Sequence, residues 1–95
     1  MPRIIYTRHA LADLTSLRVI LRQINPEAAQ KAIAAIRAAI RQSCIHPERF
    51  RPVPDLPGFR EIIIGFGHSG YVARFHHAPN GDIIVARIRH QLERA

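Results

Sequence analysis

The apolar residues change period partway along the chain, and this change restricts the fold more than any other feature. From Leu11 to Cys44 they recur every three or four residues. Leu11, Leu14, Leu17, Leu21 and Ile24 form one set, and Ala29, Ala32, Ile33, Ile36, Ile40 and Cys44 form another. That spacing places each set on one stripe of an α-helix. Further on the pattern alternates. Tyr71, Ala73 and Phe75 interleave with Val72, Arg74 and His76, which turns one set toward a core and the other outward on a strand. Striped helices and a sheet with one apolar face bury each other's apolar surface.

Local signals set the boundaries. Residues 3–6 read as a short strand, and Thr7 follows as an N-cap for the first helix. Asn25-Pro26-Glu27 supplies a cap, a proline at the first helical position and an acid in the first turn, so a second helix starts at once and the pair folds as a hairpin. Residues 46–58 carry Pro47, Pro52, Pro54 and Pro57, which remove amide donors and fix backbone angles, so this stretch reads as an irregular connector. Three strands follow at 59–64, 70–77 and 82–88, the last two joined by Pro79-Asn80-Gly81. The expectation is one α+β domain over residues 1–95, in the order β-α-α-β-β-β, with the helical hairpin packed on an antiparallel sheet.

An apolar share of 47% with 22% charged residues suits a folded chain rather than a disordered one. Cys44 is the sole cysteine, so no internal disulfide framework exists, and it fills core volume on the helical stripe. The N-terminus meets Arg8 and His9 before any signal-like stretch develops, and no run approaches the roughly 18 apolar residues of a membrane span. A cytoplasmic protein without membrane attachment is expected. The net charge is +7, and all fourteen cations except Lys31 are arginine. Guanidinium groups grip carboxylates and phosphates through a planar fork of donors, so the composition suits an acidic protein or a nucleic acid, or a merely solvated basic surface.

Several chemistries find no support. His76 and His77 are strand neighbours that point to opposite faces, so they do not chelate one ion, and no metal is expected. Gly65, Gly67 and Gly70 lack the following helix that a phosphate-binding loop requires, so no nucleotide or other cofactor is implied. Tyr71 reads as packing under the sheet with its hydroxyl at the rim.

The order of short motifs carries a resemblance over nearly the whole chain. His46-Pro47-Glu48, Leu56-Pro57-Gly58-Phe59-Arg60-Glu61, Gly67-His68-Ser69-Gly70-Tyr71 and Arg87-Ile88-Arg89-His90-Gln91 follow the strand and hairpin in sequence. In this order they resemble the RelE/ParE superfamily, the toxins of type II toxin–antitoxin systems. The resemblance implies one of two activities, ribosome-dependent messenger cleavage in RelE-like members or inhibition of DNA gyrase in ParE-like members. Metal-free RNA cleavage needs groups that activate a ribose hydroxyl, neutralise phosphate charge and protonate a leaving oxygen. Where RelE-like members place lysines this strand reads Ile62-Ile63-Ile64-Gly65, and where they place an arginine it has Val72. No tyrosine follows Tyr71. The reading therefore favours a gyrase-directed toxin that is not an enzyme. The alternatives are a messenger endoribonuclease that uses Arg74, Arg89 and His90, and a non-toxic scaffold that binds the antitoxin.

The residues expected to touch a target or partner are Arg60, Arg74, Arg87, Arg89 and His90. Arg60 stands beside Glu61 and is either a contact or half of a surface ion pair. Arg74 interrupts a central strand, where it must emerge from the sheet or find a carboxylate. Arg87 and Arg89 fall on one side of the last strand and offer two forks to an acidic target, beside His90. The partner that the resemblance implies is a cognate antitoxin with an acidic, partly disordered C-terminal segment, forming a hetero-oligomer that meets DNA only through the antitoxin.

Overall fold

The structure, a computed structural model, describes residues 2–91. A short strand β1 (Ile4–Tyr6) leads into helices α1 (Arg8–Ile24) and α2 (Pro26–Gln42). After a single 3-10 turn at Pro47–Arg49 come β2 (Arg51–Pro52), β3 (Phe59–Phe66), β4 (Ser69–His77) and β5 (Ile83–His90). The five strands make one sheet in the order β1-β5-β4-β3-β2.

The caps read from sequence are in place. Thr7 Oγ1 accepts the Ala10 amide at 3.1 Å, and Asn25 Oδ1 accepts those of Glu27 and Ala28 at 3.0 and 3.2 Å. The antiparallel meander of β3, β4 and β5 also forms, but two pairings extend the sheet beyond it. β1 joins β5 in parallel, Ile4 opposite Ile83, which makes the sheet mixed. Arg51 and Pro52 break the irregular connector and pair with Glu61 and Arg60 at the edge of β3. An edge is where a strand tolerates proline, since one side needs no donor.

The hairpin covers one sheet face. Ala10, Leu14 and Leu17 of α1 and Ala32, Ile33, Ile36 and Ile40 of α2 bury against Ile62, Ile64, Tyr71, Ala73, Phe75, Ile83, Val85 and Ile88. The α1 stripe is narrower than its spacing suggested. Leu11 is 49% exposed and Ile24, in the last turn, is 78% exposed, while Ala10 takes the place expected of Leu11 in the core. A stripe of residues every three or four positions drifts around the helix, and its outermost members leave the buried face. The residue at Gly70 must be small, because a Cβ there would lie 2.2 Å from the Ile64 carbonyl oxygen.

A register shift between β4 and β5 lets β5 serve this core along its whole length. Arg74 faces Arg87 but Phe75 faces Val85, so Ala86 is the extra residue of a bulge. Ile83 and Val85 before it and Ile88 after it therefore all turn toward the helices. The Thr7 hydroxyl donates to the Ala86 carbonyl at 3.0 Å, and the Thr7 amide donates to that of Val85 at 3.0 Å. Nearly two turns further along α1, Asp13 closes the seam. Its carboxylate accepts Arg87 Nε at 2.9 Å, an Arg87 terminal nitrogen at 3.2 Å and the Ile88 amide at 2.8 Å. β1 ends at Tyr6, so beyond it this edge of β5 takes its partner from a helix side chain.

At the opposite end of the seam Asp82 is buried and accepts the Arg3 amide at 3.0 Å and the Asn80 side-chain amide at 3.2 Å. The Arg3 amide, with Asn80 and the Arg3 guanidinium behind it, holds the Asp82 carboxyl below its ordinary pKa, against the opposing effect of burial.

Three outcomes follow for stability. Ile36→Ala removes a fully buried side chain and is expected to lower the unfolding free energy by about 2–5 kcal/mol in a urea titration. Asp13→Ala orphans the Ile88 amide and is expected to lower it by about 1–3 kcal/mol. A group whose pKa is depressed on folding stabilises above its unfolded pKa, about 4 for aspartate, and loses that effect as pH falls through the folded value. Asp82→Asn should therefore be less stable than wild type at pH 7, with the gap closing in acid. Parallel pH profiles for the two proteins would contradict the assignment.

Candidate functional site

Both helices pack on one sheet face, so the register decides which candidate side chains point toward them. On the helix side β3 places Arg60, Ile62 and Ile64, β4 places Tyr71, Ala73 and Phe75, and β5 places Ile88 and His90. The other face receives Glu61 and Ile63, then Val72 and Arg74, then Arg87 and Arg89. The five expected contact residues do not converge on one surface.

Three of the five are held within the chain. Arg60 does not pair with Glu61. Its guanidinium donates to the carbonyls of Glu48 at 3.1 Å and Phe50 at 2.7 Å, tying the connector to β3. Arg74 finds a carboxylate: it meets Glu61 at 2.9 Å, and Arg51 meets the other oxygen of the same group at 3.1 Å. Glu61 is only 6% exposed although it lies on the face away from α1 and α2. Arg51 and Arg74 thus both bring positive charge to a buried acid. Arg87 is occupied by Asp13, whose hydrogen bonds and charge raise the arginine's pKa and keep it cationic. The two forks expected side by side on β5 are thus reduced to one, since Arg89 is exposed and forms no ion pair among the described residues.

His90 leaves the arginine patch and joins a cluster on the helix side. Its Nε2 shares a 2.9 Å hydrogen bond with Ser69 Oγ, and its ring stands edge-on to Tyr71 with centroids 5.5 Å apart. Tyr71 also contacts the Phe66 ring, at 6.4 Å. Burial pushes the Tyr71 hydroxyl above its ordinary pKa, so it stays protonated near neutrality. This cluster offers one imidazole and two hydroxyls at the sheet end, with Arg89 turned to the reverse side.

The arrangement gives the sheet end limited proton-transfer capacity. Val72, beside Tyr71, is 4% exposed, and Ile62 and Ile64 lie in the core. Ile63 is 47% exposed but aliphatic. Among the described residues no group of three or more His, Cys, Asp or Glu side chains is placed to hold a metal ion. No helix among them is long and apolar enough to cross a membrane.

Sequence reading missed the partners more than the positions. Asp13 lies 74 residues from Arg87, and no local signal joins them. Ser69 was visible only as part of a turn. Arg18 and Arg22 of α1 and Arg37 of α2 line a cleft between the helices, a grouping that spacing along one helix does not show.

Known proteins share this architecture. Residues 4–95 match the family described as the ParE toxin of the type II toxin–antitoxin system parDE. Over 85 residues the chain is 38% identical to Toxin RelE3 of Caulobacter vibrioides, an alignment that spans 90% of this chain and 89% of that one. Over 90 residues it is 33% identical to Toxin RelE2 of the same organism, spanning 95% and 96%. Among solved structures, the chromosomal ParDE TA system from P. aeruginosa superposes with a TM-score of 0.72 at 25% identity, covering 95% of this chain and 96% of that one. With its helical hairpin on a mixed five-stranded sheet, this chain belongs to the ParE toxin family of type II toxin–antitoxin systems, within the RelE/ParE superfamily.

Proposed function

We propose that this toxin arrests growth by binding DNA gyrase rather than by cutting messenger RNA, and that a cognate antitoxin neutralises it. The observation that carries the reading is the character of the sheet positions around Tyr71. A metal-free ribonuclease needs acids, bases and cations aimed at one phosphate. Here Val72, Ile62 and Ile64 are buried aliphatic side chains, and Arg74 and Arg87 are bound to Glu61 and Asp13. The family description and the P. aeruginosa neighbour, both named for ParDE, support the same branch. On this reading Arg89, exposed at the end of β5, is the first residue to contact the target, and it acts by binding without chemistry.

Messenger cleavage is the second reading. The Ser69–His90 hydrogen bond beside Tyr71 favours it, since it places an imidazole and two hydroxyls together at the sheet end. The curated relatives also carry RelE names.

Purified toxin at micromolar concentration is expected to block gyrase supercoiling and to leave messenger intact in a translating extract. Arg89→Glu should weaken that block at least about tenfold, as expected for reversing a charge at a contact, with an unchanged circular dichroism spectrum. Unimpaired supercoiling together with defined messenger fragments would transfer the assignment to the second reading.

A further inference from the structure

We infer that the open end of β3 is a pairing edge for a second copy of this chain, which joins the two sheets across a two-fold axis. This contact is independent of the target proposed above. β2 covers only Arg60 and Glu61 of the eight residues in β3. The phase of the ladder fixes which backbone groups are left over. The Phe59 carbonyl turns away from β4 and accepts the Val53 amide at 3.0 Å, while the Gly58 carbonyl accepts the His77 amide on the β4 side at 3.3 Å. Residues two apart on a strand point the same way, so the amides and carbonyls of Ile63 and Gly65 also leave β4. Among the described residues neither has a backbone partner on that side.

Elsewhere the sheet edges are guarded. β1 has three residues, and β2 has two, one of them proline. Short edge strands, proline and charge are the usual devices against strand addition. The open end of β3 has none of these, since no Asp, Glu, Lys or Arg occurs from Ile62 through Ala73. In a chain of net charge +7 this is where two copies approach with least repulsion. The segment is also self-complementary. A two-fold axis at Ile64 sets Ile63 of one copy opposite Gly65 of the other, and the reverse, so that every leftover amide meets a carbonyl. Ile63 is 47% exposed, on the face away from the helices. A Cβ added at Gly65, on that same face, would meet nothing within 4 Å. The isoleucine of each copy therefore fills the space left by the glycine of the other. On the helix side Ile62, Ile64 and Phe66 continue one apolar layer into the next. A partner chosen by charge finds no cation along this edge, which favours a second copy over an acidic strand.

The test follows sedimentation of the full chain, purified free of antitoxin, over a concentration series at low and high salt. A monomer–dimer equilibrium at micromolar concentration is expected. It should tighten as salt rises, because the copies carry like charge and screening shortens its reach from about 10 Å at 0.1 M to about 3 Å at 1 M. Ile63→Lys places a cation on the edge and Gly65→Pro removes an outward amide, so each should weaken dimerisation at least about tenfold. Ile63→Lys alters an exposed side chain, so its melting curve at low concentration should follow wild type. Amide exchange read by NMR locates the contact. Ile63 and Gly65 should gain protection with concentration, while Ile62 and Ile64, whose amides face β4, stay protected throughout. A monomer at every concentration and salt overturns the inference, and so does a dimer that dissociates in salt or survives Ile63→Lys. If the free toxin is monomeric and Ile63 and Gly65 gain protection only when antitoxin is added, the edge takes a strand of that partner instead, which overturns it too.

Discussion

A five-stranded sheet covered by helices on one face must bury the apolar side chains on that side and find partners for the charges that fall on the other. β4, the central strand, shows the consequence most directly. Tyr71, Ala73 and Phe75 are buried under the hairpin, and Arg74, between the last two, has to be matched on the face away from the helices. Glu61 on β3 supplies the carboxylate, and Arg51 on β2 pairs with it as well. The same demand shapes β5. Without the extra residue at Ala86, strict alternation would turn Ile88 outward and Arg87 inward; the bulge resets the phase. Thr7 and Asp13, on the first turns of α1, then fix that irregular edge in place.

Much of this was legible in the residues, and the legible parts share a cause. Thr7, Asn25-Pro26 and the alternation through Tyr71, Ala73 and Phe75 act over a few residues, where cap chemistry and periodicity decide the outcome. The parts that were not legible are those settled by distant contacts. The parallel pairing of β1 with β5 joins residues 79 apart, such as Ile4 and Ile83, and neither strand's sequence specifies it. β2 has two residues, one of them proline, too short for any period to show. Leu11 and Ile24 fit the stripe by spacing alone, and only the position of the sheet shows that Ala10 is the buried neighbour.

The site was legible to the same degree. Composition identified an arginine-rich surface, but a guanidinium that recognises a partner and one that braces its own fold read alike in sequence. Arg60, Arg74 and Arg87 hold the connector, the outer sheet face and the α1 seam. Arg89 and the hairpin arginines are left facing outward, on separate parts of the molecule. His90, adjacent to Arg89 in sequence, lies on the opposite face with Ser69 and Tyr71. A basic protein of this size can therefore use much of its positive charge internally and still leave arginines such as Arg89 exposed.

The central claim is that the toxin's exposed surface binds rather than catalyses, and the two modes of toxicity leave different traces in a cell. A gyrase poison leaves broken DNA, whereas a ribosome-dependent nuclease leaves cut messenger. The most direct measurement expresses the toxin without its antitoxin in cells that carry a DNA-damage reporter, with messenger integrity followed in parallel. The account predicts arrested growth, an induced reporter and intact messenger. Arrested growth with a silent reporter and fragmented messenger would contradict it.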